Sequence, residues 1–312
     1  MQTITEFFTT PQFSYWEPLS IPIGPISVHG FGILVALGFV FGSKIACAKA
    51  ARDGYDPEII NRLVGWLVLG VFVGGHLGHL LFYFPEDLVG DGARFGRFFD
   101  ALLEFRAPSV ADDEVPALLQ VWHGLSSFGG FLACTLLTIW FFRKEKVSFW
   151  PYADAVAYGL MVGWMMGRLG CFSAHDHPGT ETEFFLGVKG ICLVPDGTYV
   201  SLKERLLSTQ ACHDLGLYEA LWSGAMFVWF WFRDKLPRHP GYFVGWMCLS
   251  YGPIRLVMDV YRHPFGDTRY LGLTPAQYGS IIVTLIGVAI LMRRRGEEPL
   301  RGDWKPEEEA SA

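Results

Sequence analysis

Apolar positions in this chain fall in long unbroken runs rather than in the narrow stripes of a soluble fold. Seven runs stand out, near residues 26–48, 62–84, 125–142, 152–172, 217–233, 241–261 and 276–292. Each approaches the roughly 17–25 residues that a helix needs to cross a bilayer. Polar and charged residues gather between them, most of all in two longer stretches at 85–124 and 173–216. The pattern predicts an all-α polytopic membrane protein with seven transmembrane helices. Residues 1–296 are expected to form a single seven-span membrane domain, and 297–312 a charged tail.

The basic residues set its direction, because Lys and Arg collect on the cytoplasmic side. Lys44, Lys49, Arg52 and Arg62 follow the first run, Arg143, Lys144 and Lys146 the third, and Arg233, Lys235 and Arg238 the fifth. The tail adds Arg293, Arg294, Arg295, Arg301 and Lys305. The segment 85–124 is instead rich in acids, among them Glu86, Asp87, Asp91, Asp112, Asp113 and Glu114. The N-terminus is therefore expected outside and the C-terminus in the cytoplasm, with both long loop segments on the outer side.

Composition agrees with this. Of 312 residues, 51% are hydrophobic and 18% charged, below the roughly 25% charged of a soluble domain. A net charge of −6 without a basic stripe argues against a nucleic-acid partner. The first 30 residues hold no Lys or Arg, so no cleavable signal peptide is expected. The six cysteines form no C-x-x-C pair; Cys47, Cys134 and Cys248 sit in apolar runs, and Cys192 and Cys212 share one outer segment where they can pair.

Ionisable residues inside or beside the spans carry the candidate chemistry. His29 opens the first span, and His76 and His79 lie one turn apart in the second. His123 precedes the third. Arg168, flanked by Gly167 and Gly170, lies near the outer end of the fourth, just before Cys171, His175, Asp176 and His177. Arg255, Asp259 and Arg262, spaced by four and three, are expected on one helical face of the sixth. Guanidinium groups grip phosphate, carboxylates orient them, and histidine moves protons near neutral pH. Simpler roles stand beside this reading. Arg168 can snorkel to the interface, Arg255–Asp259 can be a salt bridge within one helix, and Gly74, Gly75, Gly78, Gly129 and Gly130 can serve close helix packing.

These residues sit in segments that resemble the prolipoprotein diacylglyceryl transferase family. His29-Gly30-Phe31-Gly32 resembles its first-span motif, and the segment 74–83 its G-G-R-x-G-Y-x-x-F-Y. The segment 121–130 resembles W-x-G-G-x-S-F-H-G-G, and Gly167-Arg168-Leu169-Gly170-Cys171-Phe172 resembles G-R-x-G-N-F. Leu217-Tyr218-Glu219 resembles L-Y-E. Tyr251-Gly252-Pro253-Ile254-Arg255, with Asp259, Arg262 and Pro264, resembles Y-G-x-x-R-x-x-x-E-x-x-R-x-P, and the segment 273–277 resembles L-S-M-G-Q. The family pattern departs at His29 (tyrosine), His76 (arginine), Gly129 (histidine), Cys171 (asparagine), and Asp176 and Asp259 (glutamates).

The resemblance implies transfer of the sn-1,2-diacylglyceryl group from phosphatidylglycerol to the lipobox cysteine of a prolipoprotein signal peptide, releasing glycerol 1-phosphate. It implies a multi-pass enzyme of the bacterial inner membrane that works among membrane lipid without metal or other cofactor. Expected catalytic residues are His29, Arg168, Arg255, Asp259 and Arg262. Expected substrate-binding residues are His76, His79, Gly129, Gly130, Gly167, Gly170, Cys171 and Asp176. With Gly129 in the family histidine's place, His29 is the first expected proton acceptor, followed by His123 and His175. Two other readings are a non-catalytic relative that binds lipid or lipoprotein, and a metal-dependent membrane protein that uses the histidines.

Overall fold

A computed structural model describes residues 10–11, 13–23, 26–104, 106–110, 113–120, 124, 126–193, 198, 201–262, 269–298 and 301–305. His123 and Pro264 lie outside the described residues. The chain is mostly helical. The helices are α1 (Gly30–Arg52), α2 (Pro57–Tyr83), α3 (Pro85–Leu103), α4 (Ser127–Glu145), α5 (Phe149–Ala174), α6 (Leu202–Leu207), α7 (Leu215–Arg233), α8 (Tyr242–Val260) and α9 (Pro275–Arg294). A helix falls on each of the seven apolar runs. Among the described residues, four stretches are long and apolar enough to cross a membrane: Gly30–Arg52, Pro57–Leu81, Phe149–Ala174 and Pro275–Arg294.

The chain is not all-α. Strand β2 (Ser20–Ile23) pairs antiparallel with β3 (Ile26–His29), so the first four residues of the first apolar run form a strand and not helix. A second sheet, ordered β1-β5-β6-β4, joins β1 (Phe13–Ser14), β4 (Pro178–Glu181), β5 (Val188–Lys189) and β6 (Ala211–Asp214). Alternation is weak in such short strands, and sequence pattern cannot show which of them pair. The segment expected as the first outer loop is largely helix α3. Its apolar Val89, Phe99, Leu102 and Leu103 are exposed, and acids occupy other turns, so it has no membrane-length apolar run to announce it.

The chain divides into two compact units, residues 1–57 with 150–312, and residues 58–149. In the first, buried Ala157, Tyr158 and Met161 of α5 pack with Phe230 of α7 and with Tyr242 and Phe243 of α8. Helices α1 and α5 meet through Gly38 and Gly42 facing Gly159 and Gly163. A Cβ on Gly38 would lie 2.8 Å from the Gly163 carbonyl, and one on Gly159 would lie 2.2 Å from that of Gly42. Small residues four apart on both partners let two backbones touch where lipid offers no hydrophobic drive for association. Helix α9 opens on a capping box of Thr274 and Gln277 with Pro275 at its first position.

The four-stranded sheet belongs to this first unit. The Cys192–Cys212 disulfide, with Cα atoms 5.3 Å apart, ties the sheet together. Tyr15, Val188, Ile191 and Cys212 form its core, with Trp16 and Phe172 against them. A cavity of about 550 Å³ lies at the opposite end of α1 and α5 from Arg168, with Arg52, Asp53, Asp154, Asp234 and Arg238 in its lining. Buried Lys49 pairs there with Asp53 and Asp234.

In the second unit, α2 and α4 are joined by another glycine contact, Gly74 and Gly78 against Gly129. Arg62 and Glu145 bridge the ends of the same two helices at 2.9 Å. Asp91 of α3 accepts bonds from the backbone N–H of Ala117 and Leu118 and so holds the turn that follows α3.

Candidate active site

Arg168 lies on the last two turns of α5, where a membrane-length helix brings a guanidinium into a mostly apolar unit. Its Nε is 2.8 Å from a Glu219 carboxylate oxygen on α7, and Glu219 is buried. Trp164 donates to the same oxygen at 3.3 Å, and its ring lies 5.4 Å from the Arg168 guanidinium carbon. Tyr251 of α8 lies close enough to feel the Arg168 charge. The Tyr251 ring stands 5.5 Å from that of Trp164 and 5.3 Å from that of Trp222. Arg255, one turn beyond Tyr251, acts on it electrostatically. Three helices thus hold two arginines around one tyrosine, with one arginine fixed in place by a buried carboxylate. A Cβ on Gly167 would meet nothing within 4 Å, so the α5 surface is open at that position.

Glu219 and Tyr251 were absent from the expected site residues, although their segments, L-Y-E and Y-G-x-x-R, were visible. Sequence alone does not show that a carboxylate on α7 reaches an arginine on α5. Glu219→Ala is expected to strand the Arg168 charge. Losing one partner of a buried pair costs about 3–5 kcal/mol, which a large drop in melting temperature of the detergent-solubilised protein would reveal.

Other expected residues are placed differently. Arg262 does not share a helical face with Arg255 and Asp259. Helix α8 ends at Val260, and Arg262 lies past it in a β-bridge to Gly179. Asp259 is buried 4.0 Å from Arg255, and its other oxygen accepts from Thr274 at 3.0 Å, tying α8 to the start of α9. Gly170 lies hard against Phe31, 3.1 Å from a ring carbon if it carried a Cβ, so it serves the α1–α5 contact. His29 is exposed and precedes α1 without capping it by its side chain. His175 is fully buried with its ring 4.2 Å from that of Trp16, and its Nδ1 is 3.4 Å from Asp214. It is a core residue of the four-stranded sheet.

Cys171, Asp176 and His177 do gather beside Arg168. The Cys171 sulfur is 3.9 Å from an Arg168 nitrogen. His177 Nδ1 is 2.5 Å from an Asp176 oxygen, and a ring nitrogen lies within 4.8 Å of the Cys171 sulfur. Burial opposes charge on His177, but its interactions with Asp176 and Cys171 outweigh it and push its pKa up to about 9. Strand β4 follows at once, and Thr180 N–H donates to the Tyr261 carbonyl at 2.8 Å, which anchors this turn to the end of α8.

His76, His79, Gly129 and Gly130 belong to the second unit. His76 is buried and its Nε2 lies 2.9 Å from the Ala117 carbonyl, so it steadies the turn after α3. His79 lies beside Phe84, with the rings tilted and their centroids 4.8 Å apart. Gly129 faces Gly74 and Gly78 so closely that a Cβ would lie 2.2 Å from the Gly74 carbonyl. Gly130 has room for a methyl group, 3.5 Å from the nearest atom.

The profile of the family described as prolipoprotein diacylglyceryl transferase matches residues 18–293. A phosphatidylglycerol–prolipoprotein diacylglyceryl transferase of Solidesulfovibrio magneticus is 32% identical over 299 residues, covering 93% of this chain and 98% of its own. Proteins of the same name from Chromohalobacter salexigens and Pasteurella multocida are each 30% identical, covering 89% and 92% of this chain and 92% and 94% of their own. With motifs matching from α1 to α9 and the relatives covered almost end to end, this chain belongs to the prolipoprotein diacylglyceryl transferase family.

Proposed function

We propose that this protein transfers the diacylglyceryl group of phosphatidylglycerol to the lipobox cysteine thiol of prolipoproteins, with glycerol 1-phosphate as the other product. The observation that carries this is Arg168, held by buried Glu219 at 2.8 Å in a membrane-length helix with open space at Gly167. A lipid phosphate is the natural occupant of such a place. The reaction joins sulfur to carbon while a phosphate departs, and a guanidinium already fixed in position stabilises that charge without reorganising. Arg168 grips the phosphate and Glu219 and Tyr251 aim it. Arg255 adds a second positive charge, and Arg262, next to Gly179, a third at the outer edge.

The same proposal gives the chain seven spans in the bacterial inner membrane, α1, α2, α4, α5, α7, α8 and α9, with the N-terminus outside. The exposed apolar side chains of α3 suit a helix lying in the outer interface. A reporter fused after Arg295 is expected in the cytoplasm and one inserted within 107–114 outside. Both on one side would overturn this topology.

Expression in bacterial cells depleted of their own transferase tests the function. Restored lipidation of lipoproteins is expected. Full membrane insertion without lipidation would favour a non-catalytic relative.

A further inference from the structure

We propose that His177 is a second ligand for the phosphate of the lipid substrate, placed outward of Arg168 and held as a cation by Asp176. The inference deepens the transferase reading of the site and rests on it. Helix α5 ends at Ala174, and His175, at a φ of 53°, turns the chain back on the last helical residues. That turn places a ring nitrogen of His177, an oxygen of Asp176 and the Cys171 sulfur within 4.8 Å of one another. An Arg168 N–H points at the same sulfur from 3.9 Å. Two cationic side chains therefore converge on one thiol. A thiol sulfur is a weak acceptor, whereas phosphate oxygens bind charged donors strongly. An anion that enters here gains both donors and displaces little.

The surroundings of His177 fix both its place and its charge. Its backbone carbonyl accepts the Leu215 N–H at 3.1 Å. Leu215 opens α7, the helix that brings Glu219 to Arg168, so the turn and the arginine are held by the same element. The His177 side chain is 38% exposed against 19% for Arg168, which puts the imidazolium at the mouth and the guanidinium deeper. Asp176 takes the Nδ1–H at 2.5 Å, and the second ring N–H of the imidazolium serves a phosphate oxygen. The groups that face His177 are Arg168 and Cys171 of α5 and its neighbour Asp176. Asp214, where α7 begins, is turned to His175 and the Leu217 N–H instead.

The reaction gives such a cation work to do. It turns a phosphodiester with one negative charge into a phosphomonoester, whose second proton leaves near pH 6. The departing glycerol phosphate therefore gains charge as the bond to carbon breaks. Arg168 meets the first charge, and His177 meets the added one on the way out. His177 donates hydrogen bonds throughout and transfers no proton. Its raised pKa of about 9 keeps it charged at pH 7, so it is a phosphate ligand and not the acceptor of the thiol proton. The sign follows: the charge is present from neutral pH upward and is lost as pH rises through about 9.

Initial rates of the purified full-length protein, with phosphatidylglycerol in mixed micelles and a lipobox peptide, test this role. His177→Gln should raise KM for phosphatidylglycerol by roughly 10-fold at pH 7, the low end for one hydrogen bond to a charged group, with a smaller change in kcat. It should weaken inhibition by added glycerol 1-phosphate by a similar factor, and His177→Lys should recover most of both. In the wild type, KM should climb as pH passes about 9. Asp176→Asn should bring that climb down toward neutral pH, and His177→Lys should move it to about pH 10 or above. The same climb near pH 9 in His177→Lys would place the titration elsewhere and overturn the proposal, as would a wild-type KM that stays flat up to pH 10. Unchanged KM and inhibition in His177→Gln, from protein that elutes and melts like the wild type, overturn it and leave the transferase reading intact. Weaker inhibition by glycerol 1-phosphate with an unmoved KM assigns the site to free phosphate and overturns its part in lipid binding. No transfer by the wild-type protein sinks the transferase reading and this role with it.

Discussion

Arg168→Lys should slow diacylglyceryl transfer by roughly 10²–10³-fold, the usual cost of losing one well-placed donor to a developing anion. Lysine keeps the charge but replaces a planar fork with a single point, so it cannot hold Glu219 and a phosphate together. Arg168 pairs with Glu219 at 2.8 Å and donates to the Cys171 sulfur at 3.9 Å, which leaves its remaining N–H groups for substrate. The variant should still accumulate in the membrane, because a positive charge still faces the buried Glu219. Initial rates on phosphatidylglycerol and a lipobox peptide, normalised to protein level, provide the check. Near-normal rates would make Arg168 a structural residue and remove the basis for the phosphate site.

A histidine at Gly129, restoring the family pattern, is expected to destabilise the protein by about 3 kcal/mol or more, the upper range for overpacking, and not to raise activity. The reason is backbone contact. A Cβ there would lie 2.2 Å from the Gly74 carbonyl and 2.6 Å from the Gly78 Cα, and neither can move without separating α2 from α4. Gly129→Ala should already lower the melting temperature markedly. A Gly129→His protein of wild-type stability and higher activity would show that the contact opens freely and that the position still serves proton transfer.

The long helices were readable because bilayer thickness imposes a run length, and every run became a helix within a few residues at each end. The β2–β3 pair and the four-stranded sheet were not, since strands of two to four residues leave no usable period. Helix α3 escaped notice because its apolar residues are interrupted by acids and glycines. In the site, Arg168 was legible as a costly charge in an apolar run. Its partners were less so. Glu219 lies 51 residues further along the chain, and only packing of α7 on α5 brings it near. Arg262 shows the reverse failure: a spacing of three from Asp259 promised a shared face, but α8 stopped two residues earlier. The Cys171–Asp176–His177 cluster needed the turn after α5, which spacing alone could not fold.

Purified protein in detergent, given phosphatidylglycerol and a synthetic lipobox peptide, offers the most direct test of transferase activity by mass spectrometry of the peptide. The expected product is the peptide carrying one diacylglyceryl group in thioether linkage on its cysteine, with an equal amount of glycerol phosphate released and neither formed by Arg168→Ala. Unmodified peptide, from protein that is folded and binds phosphatidylglycerol, would contradict it.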